Sequence, residues 1–393
     1  MTKEASRREA GRKPGFIALS AILILLLPLS AAEIFVRTFS HAGWFTPASL
    51  KEKSLHFKPA VFSKHVLEAR EHHMVNSLGA EYRINGRGYR GPDFKVPKPG
   101  GVFRIVFYGG SSAFDIGSSE GRDWPHRVEK RLREMGFTQV EVINAGVPAQ
   151  ASYDSIGSLF AEGHLWEPDM AVLYTAWNDF GFLTESRPLQ RVIKPYDEKA
   201  DPLLNYQGLL DRFLCEISQV YVRVRYRYLM NKWKVGLEGA RSREINRPAL
   251  TDGGLRQFRL NVETFIDVAR NAGAVPVLIT EAHPFHRGNS RETDWQYWEQ
   301  FQTLTLDAMY DAQEKTSAIF HEAGLRKQTA VIDAAAVMDG KTEFFRDHVH
   351  LTDAGSERLA ELAAEGIARV LRDHESQRRN QPIAASLSKN SGF

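Results

Sequence analysis

Two serines stand where a short apolar strand should end, and they are the residues best placed to do chemistry. Residues 103–108 are largely apolar, β-branched or aromatic, and Gly109 and Gly110 separate them from Ser111 and Ser112. In open α/β sheets, ligands and reactive groups gather outside the carboxyl ends of the strands. The glycines permit a tight turn that a Cβ would strain. A serine hydroxyl is a weak nucleophile alone, so the chain must also supply a base, an acid that orients it, and oxyanion donors.

The base and the acid are predicted in the segment 346–355. An imidazole at His350 could take the serine proton and return it to the leaving group, and Asp347, three residues earlier on a turn, can fold back onto the ring. His348 should point away from this aspartate on an extended segment. In isolation the segment is also typical of a loop that caps the next helix. The two histidines lack a third ligand in sequence, so neither a metal nor a cofactor is predicted.

Donors for an oxyanion are predicted after two further strands. Gly146 follows the strand 140–143 and could present a bare backbone N–H, and Asn178 follows the strand 170–175 and carries a side-chain amide. Each segment is a routine strand-to-helix turn when taken alone. Together with Ser111 and the Asp347–His350 segment, they bring four strand ends to one edge.

The elements that must position these residues alternate between strands and helices. Near-continuous apolar strands that alternate with amphipathic helices are typical of a parallel sheet covered on both faces. Helical spacing marks the first crossover helix from Trp124 to Met135, another helix ending at 271–273, and a final helix from near Thr352. The five predicted strands are Phe103–Tyr108, Val140–Ile143, Met170–Thr175, Val275–Thr280 and Ala330–Asp333.

These motifs, in this order, resemble the SGNH hydrolase superfamily, the GDSL-type lipases and esterases. The lead-in segment Asn85–Gly91 resembles the one that precedes the first motif in membrane-anchored bacterial members. The resemblance covers roughly Tyr82 to Leu371. It implies a flavodoxin-like three-layer α/β/α fold with a five-stranded parallel sheet. It also implies that Ser111 is the nucleophile, that Asp347 and His350 complete the triad, and that the backbone N–H of Ser111, the N–H of Gly146 and the amide of Asn178 form the oxyanion hole.

Two positions depart from the family pattern. Gly110 stands where the signature has Asp, and Ala176 stands where a glycine usually opens Gly-x-Asn-Asp. The first change removes a carboxylate outside the triad, and the second puts a methyl group near the oxyanion site. A Gly-x-Ser-x-Gly elbow is absent from the sequence, which argues against the α/β-hydrolase fold.

Composition bounds the class of protein. The chain has 393 residues, 43% of them hydrophobic and 25% charged, which is typical of a globular protein with a substantial core. A formal net charge of +3 is small for this length and gives no support to a nucleic-acid partner. Cys215 is the only cysteine, so disulfide frameworks and cysteine metal clusters are excluded, and we expect it to be a small buried apolar residue.

The amino terminus predicts a membrane anchor. Five basic residues lie between positions 3 and 13, and the charge-free apolar run Phe16–Ala32 follows them. Because apolar character resumes at Ile34 after a single glutamate, we favour an uncleaved anchor that leaves the basic end in the cytoplasm and the catalytic domain in the periplasm. The alternative is cleavage near Ala32 and secretion.

The predicted organisation has four parts. Residues 1–40 hold the basic end and the anchor, 41–100 form an irregular lead-in with tight turns, 101–372 form the hydrolase domain, and 373–393 form a disordered tail. An α-rich insertion at about 183–252 contains the basic, aromatic stretch 221–228. It is either a solvated amphipathic segment or a surface for an acidic glycan or lipid head groups.

The predicted function is ester hydrolysis through an acyl-Ser111 intermediate. The expected partner is an ester-bearing small molecule or an acylated glycan, with O-acyl or O-acetyl groups on an extracytoplasmic carbohydrate as the substrate class that the family resemblance implies. The same residues would serve an acyltransferase that passes the acyl group to a glycan hydroxyl. A non-catalytic, membrane-tethered glycan-binding component is the third possibility, although a binding module needs no serine and base.

Overall fold

The computed structural model describes residues 26–39, 46–49, 57–58, 66–67, 70–75, 80–184, 202–203, 205–241, 249–301 and 304–380. These residues separate into two compact units. The first unit comprises the described parts of 1–54 and 197–240, and the second comprises the described parts of 55–196 and 241–393.

The secondary-structure elements have the following bounds. The strands are β1 Phe57–Lys58, β2 Val66–Leu67, β3 Arg70–Val75, β4 Glu81–Ile84, β5 Phe103–Gly109, β6 Val140–Asn144, β7 Met170–Tyr174, β8 Val275–Ile279 and β9 Ala330–Ile332. The helical residues 26–39 and 47–49 are α1 and α2. The other helices are α3 Ser111–Phe114, α4 Trp124–Glu134, α5 Ser152–Ala161, α6 Leu209–Ile217, α7 Gln219–Arg241, α8 Asp252–Asn271, α9 Arg291–Phe301, α10 Leu306–Lys327, α11 Ala335–Met338 and α12 Asp353–Asn380.

The second unit is built on a five-stranded sheet in the order β6-β5-β7-β8-β9, with every neighbouring pair parallel. The prediction of a five-stranded parallel sheet is therefore confirmed, with strand bounds within a residue or two of those expected. Relative to their order in the chain, the strands lie 2-1-3-4-5, which is the flavodoxin-like arrangement. In such a sheet the strand order reverses beside the first strand, so the crevice for a ligand lies outside the carboxyl ends of β5 and β7.

Two hydrophobic cores cover the faces of this sheet. Side chains alternate across β5, so Ile105 and Phe107 belong to one core while Val106 and Tyr108 belong to the other. The first core packs against α4 and α12, where Trp124 meets Phe107 edge-to-face with ring centroids 4.9 Å apart. The second packs against α5, α8 and α10. Helices on both faces of a parallel sheet make the three-layer α/β/α architecture.

The lead-in is more structured than the prediction of irregular turns for 41–100. It contains two antiparallel strand pairs, β1 with β2 and β3 with β4. It also supplies Arg90, which is 1% exposed and donates to the backbone carbonyls of Phe114, Asp115 and Ser118. Its guanidinium lies 3.4 Å from the buried carboxylate of Asp123. A buried charge is retained when it is paired and hydrogen-bonded, so Arg90 fixes the carboxyl end of α3, the helix that begins with the candidate nucleophile.

Two other predictions at the ends of the chain are tested in part. Helix α12 continues to Asn380, so the predicted disordered tail from 373 is helical over its first residues, and 381–393 lie outside the described residues. The predicted anchor Phe16–Ala32 lies mostly before residue 26, where the description starts. In the part of the chain that the structure describes, no helix has the length and apolar character that crossing a membrane requires.

The first unit contains the described parts of α1, α2, α6 and most of α7, so the predicted α-rich insertion is helical over Leu209–Ile217 and Gln219–Arg241. Cys215 is fully buried on α6, as expected for a small apolar residue. Burial raises the pKa of its thiol to about 11, with the nearby Asp211 carboxylate as a further cause. A thiol with so high a pKa is a poor nucleophile.

Candidate active site

A hydrogen-bonded chain joins Ser111, His350 and Asp347 at the carboxyl edge of the sheet. Ser111 is the first residue of α3, directly after β5, and its Oγ lies 2.8 Å from His350 Nε2. His350 Nδ1 lies 2.7 Å from Asp347 Oδ2. The serine and the histidine are 239 residues apart in sequence. They meet because Ser111 begins α3 beyond the end of β5, and His350 lies in the loop that leads into α12 on the same sheet.

Local backbone geometry holds the acid and the base together. Asp347 Oδ1 accepts the backbone N–H groups of Val349 at 2.9 Å and His350 at 2.8 Å, which closes the turn that presents the ring. Burial alone would raise the pKa of Asp347, but the hydrogen bond and charge of His350 hold the pKa of this carboxyl well below its usual range. An ionised carboxylate only accepts, so in the neutral ring Nδ1 carries the proton and Nε2 is left to accept the Ser111 hydroxyl.

Ser112 has a different partner. It is 4% exposed, and its Oγ donates to Oε1 of the buried Glu281. Its carbonyl accepts the indole N–H of Trp124 at 2.9 Å. Ser111 is partly exposed, so of the two adjacent serines it alone combines access from solvent with contact to His350.

Asn178 lies beside the nucleophile turn, in the short 3-10 turn after β7. Its amide Nδ2 donates to the backbone carbonyl of Gln150 at 2.8 Å, which fixes the orientation of the group and leaves its second N–H available. A Cβ built on Gly110 would overlap Asn178 Nδ2 and lie 2.9 Å from the Gln150 carbonyl oxygen. Gly110 is therefore the residue that makes room for this amide.

Gly146 is buried after β6, and its N–H is already engaged. It donates to the side-chain oxygen of Asn144 at 3.1 Å. A Cβ on Gly146 would lie 2.5 Å from the backbone nitrogen of Phe114 and 2.9 Å from the carbonyl carbon of Ala113, so the glycine allows α3 to pack closely against this loop. The close contact explains the residue type, while the oxyanion role predicted for its N–H stays a prediction.

Glu281 is the residue that the sequence analysis missed. It follows β8, is 5% exposed, and accepts the backbone N–H of Trp177 at 2.6 Å as well as the Ser112 hydroxyl. It thereby ties the start of α3 to the turn that carries Asn178. Burial raises the pKa of this carboxyl, partly offset by the groups that donate to it. The sequence signal that could have identified Glu281 was its position just after a buried parallel strand, on the edge of the sheet where the other candidate residues lie.

His348 stacks on an aromatic side chain. Its ring centroid lies 4.4 Å from that of Trp177, with the planes tilted by 32°. Burial lowers the pKa of His348 to about 4, and the pKa of the fully buried His283, which also contacts Trp177, to about 3. Both rings are therefore neutral near pH 7. Within the described ranges, no three His, Cys, Asp or Glu side chains are grouped as metal ligands.

Fold and site together define an α/β protein of flavodoxin-like topology with a Ser–His–Asp hydrogen-bonded chain at its carboxyl edge. No family model and no curated protein matches the chain. Solved structures do resemble it, with low similarity. A lipolytic protein of the G-D-S-L family from Desulfitobacterium hafniense is 12% identical, over 67% of this chain and 98% of that chain, with a TM-score of 0.38.

Two further solved structures show the same degree of likeness. A lipase/acylhydrolase from Enterococcus faecalis is 19% identical, over 68% of this chain and 97% of that chain, with a TM-score of 0.41. An acetyl xylan esterase from Geobacillus stearothermophilus is 11% identical, over 67% and 94% of the two chains, with a TM-score of 0.40. Likeness at this level carries no argument about what this chain binds or does.

Proposed function

We propose that this protein is a serine ester hydrolase of the SGNH type that works through an acyl-Ser111 intermediate. The observation that carries the proposal is the hydrogen-bonded chain from Ser111 Oγ through His350 to Asp347. A nucleophile within hydrogen-bond reach of a base, with the base oriented by a carboxylate, is the arrangement that acyl transfer requires.

The reaction has two balanced halves. Ser111 Oγ attacks the ester carbonyl carbon while His350 Nε2 takes the hydroxyl proton, and the carbonyl oxygen becomes an oxyanion. The bond to the leaving alcohol then breaks, and His350 returns the proton to the alcohol oxygen. In the second half a water molecule gives its proton to His350 and attacks the acyl carbon, and Ser111 leaves with that proton as the acid is released.

The oxyanion is held by groups already in position. The N–H of Ser111 is the first of α3 and has no acceptor within that helix. The second N–H of Asn178 is the side-chain donor, because the Gln150 carbonyl fixes only the first. Gly146 completes the set if its N–H is shared with the substrate rather than held by Asn144 alone. Donors oriented before the reaction stabilise developing charge without a cost of reorganisation.

For the substrate we propose an acylated, extracytoplasmic carbohydrate, with the protein anchored in the membrane by Phe16–Ala32. Two observations support this finer proposal: the sequence resemblance to membrane-anchored SGNH hydrolases, and the amino-terminal order of basic residues followed by a charge-free apolar run. An acetylated oligosaccharide assayed with water or a second sugar as acceptor separates hydrolysis from transfer, because only hydrolysis releases free acetate in proportion to turnover.

The nucleophile is tested with a fluorophosphonate probe. Wild type should be labelled at Ser111, Ser111→Ala should not be labelled, and Ser112→Ala should still be labelled because the Ser112 hydroxyl faces Glu281. Mass spectrometry of the labelled peptide identifies the serine. Labelling at Ser112, or folded wild-type protein that neither labels nor hydrolyses p-nitrophenyl acetate, would rule out the proposed mechanism.

A further inference from the structure

Helix α6 in the first unit presents an apolar stripe to solvent. At 100° per residue its exposed apolar side chains fall within an arc of about 100°, while Cys215 faces the opposite side and is fully buried. The α6 stripe consists of Leu209, Leu210, Phe213 and Ile217, which are 87%, 69%, 58% and 48% exposed. A folded protein rarely leaves such a contiguous apolar patch uncovered unless something binds there.

Helix α1, in the same unit, is apolar and exposed over most of its surface. Its large exposed side chains occur along the whole described helix rather than along one face, so the described protein covers little of it. They are Leu26, Leu27, Leu29, Ile34, Phe35 and Phe39, which are between 54% and 65% exposed. The helix continues the charge-free run Phe16–Ala32.

Polar contacts join α1 to the junction between α6 and α7. The Glu33 carboxylate accepts the backbone N–H groups of Gln219 at 2.8 Å and Val220 at 3.0 Å, and the Ser218 hydroxyl at 2.8 Å. It thus caps the first turn of α7, whose N–H groups have no partner within the helix. Arg37 donates to the carbonyl of Ile217, the last residue of α6, at 2.7 Å. The α6 stripe therefore lies close to α1, whose first residues belong to the charge-free run.

We propose that the α6 stripe lies in the interfacial region of a phospholipid bilayer, beside α1. Two observations select a bilayer rather than another protein: the α6 stripe is held next to α1 by contacts of Glu33 and Arg37, and the charge-free run ends at residue 32. Arg212 is exposed on α6 outside the stripe, on a face that the proposal leaves in water. The role of α6 is independent of the proposed esterase activity.

The position of α6 is tested in the full chain reconstituted into phosphatidylethanolamine and phosphatidylglycerol vesicles. In a Cys215→Ala background, a bimane label is placed by Leu210→Cys, by Phe213→Cys or, as the control on the same helix, by Arg212→Cys. Doxyl-labelled lipid should quench the labels at 210 and 213 several-fold more than the label at 212. Aqueous iodide should show the reverse order.

Two results would overturn the proposal. Labels at 210 and 213 that iodide reaches and doxyl lipid does not would place the stripe in water. Labels shielded from both quenchers would mean that protein covers it. If the background substitution at the buried Cys215 prevents folding, a photo-crosslinking phenylalanine analogue at position 213 repeats the test in the native chain, where adducts to lipid support the proposal and adducts to protein only refute it.

Discussion

The side-chain amide of Asn178 offers a direct test of the oxyanion site, because its two N–H groups have different roles. One N–H is bonded to the Gln150 carbonyl at 2.8 Å, and the other is the proposed oxyanion donor. Asn178→Ala removes both. Loss of one preorganised donor costs about 3–4 kcal/mol of activation free energy, so kcat for a short acyl ester should fall by about 10²–10³-fold. The free energy of unfolding should fall by only about 1 kcal/mol, since a single partly exposed hydrogen bond is lost.

Gly110 gives an independent way to disturb the same amide. The Cβ of Gly110→Ala would overlap Asn178 Nδ2, so the amide must move away from the nucleophile. We expect the single substitution to approach the loss seen in Asn178→Ala, and the double variant to lose no more than Asn178→Ala alone. Gly181→Ala is the matched control, because a Cβ there meets nothing within 4 Å.

The assay is steady-state hydrolysis of p-nitrophenyl acetate, with urea unfolding of each variant in parallel. A donor that acts on the developing charge should change kcat while KM stays close to that of wild type. Asn178→Ala with a kcat within a few-fold of wild type would remove Asn178 from the oxyanion site. Additive losses in the double variant would show that Gly110 acts by another route.

Three further predictions concern carboxylates in or near the site. Asp347→Asn should favour the wrong tautomer of His350 and lower kcat by about 10³–10⁴-fold with little change in folding; retained turnover would contradict the assigned triad. Glu281→Ala should lower kcat, and it should lower the unfolding free energy by about 1–3 kcal/mol because buried donors lose their acceptor. Glu281→Gln should restore part of both quantities. Identical values for the two variants would refute a positioning role for Glu281. Burial raises the pKa of Asp179 to about 7 despite hydrogen bonds from Ser152, so its contribution to stability is present below its ordinary pKa and is lost as the pH rises through about 7. The unfolding free energy of wild type relative to Asp179→Asn should therefore decline from about pH 4 to 7 in urea titrations, and parallel pH profiles would show that Asp179 titrates normally.

Much of the fold could be predicted because its signals are local. The five parallel strands are short apolar runs, and the helices between them show a 3.6-residue spacing of apolar residues, so both follow from neighbouring residues alone. The same holds for Asp347 and His350, whose three-residue spacing suits a turn. Strands β1 and β2 of the lead-in are only two residues long, and β3 is a mostly polar run without apolar alternation, so these strands carry no clear signal.

Other features depended on segments that meet only in three dimensions. In sequence, Glu281 is an ordinary acidic residue after a strand. In the structure its carboxylate accepts hydrogen bonds from Ser112 and Trp177, which follow two other strands. Arg90 reads as one basic residue in a turn-rich segment, yet it is buried and holds the end of α3. Such roles depend on which segments meet, and sequence spacing does not encode contacts between residues that are 24 to 169 positions apart in the chain.

The amino-acid sequence by itself determined the kind of sheet and placed Ser111 and Asn178 just after strands, because parallel strands present their carboxyl ends at one edge whatever their order. It placed His350 in the loop before the last helix. The resemblance pointed to Ser111 rather than Ser112, but only the tertiary structure shows the contacts that distinguish the two serines. On α3 the first hydroxyl, that of Ser111, meets His350, and the second, that of Ser112, is buried against Glu281. Adjacent residues on a helix point about 100° apart, so the contacts of α3, and not the order of its residues, determine which serine meets the base.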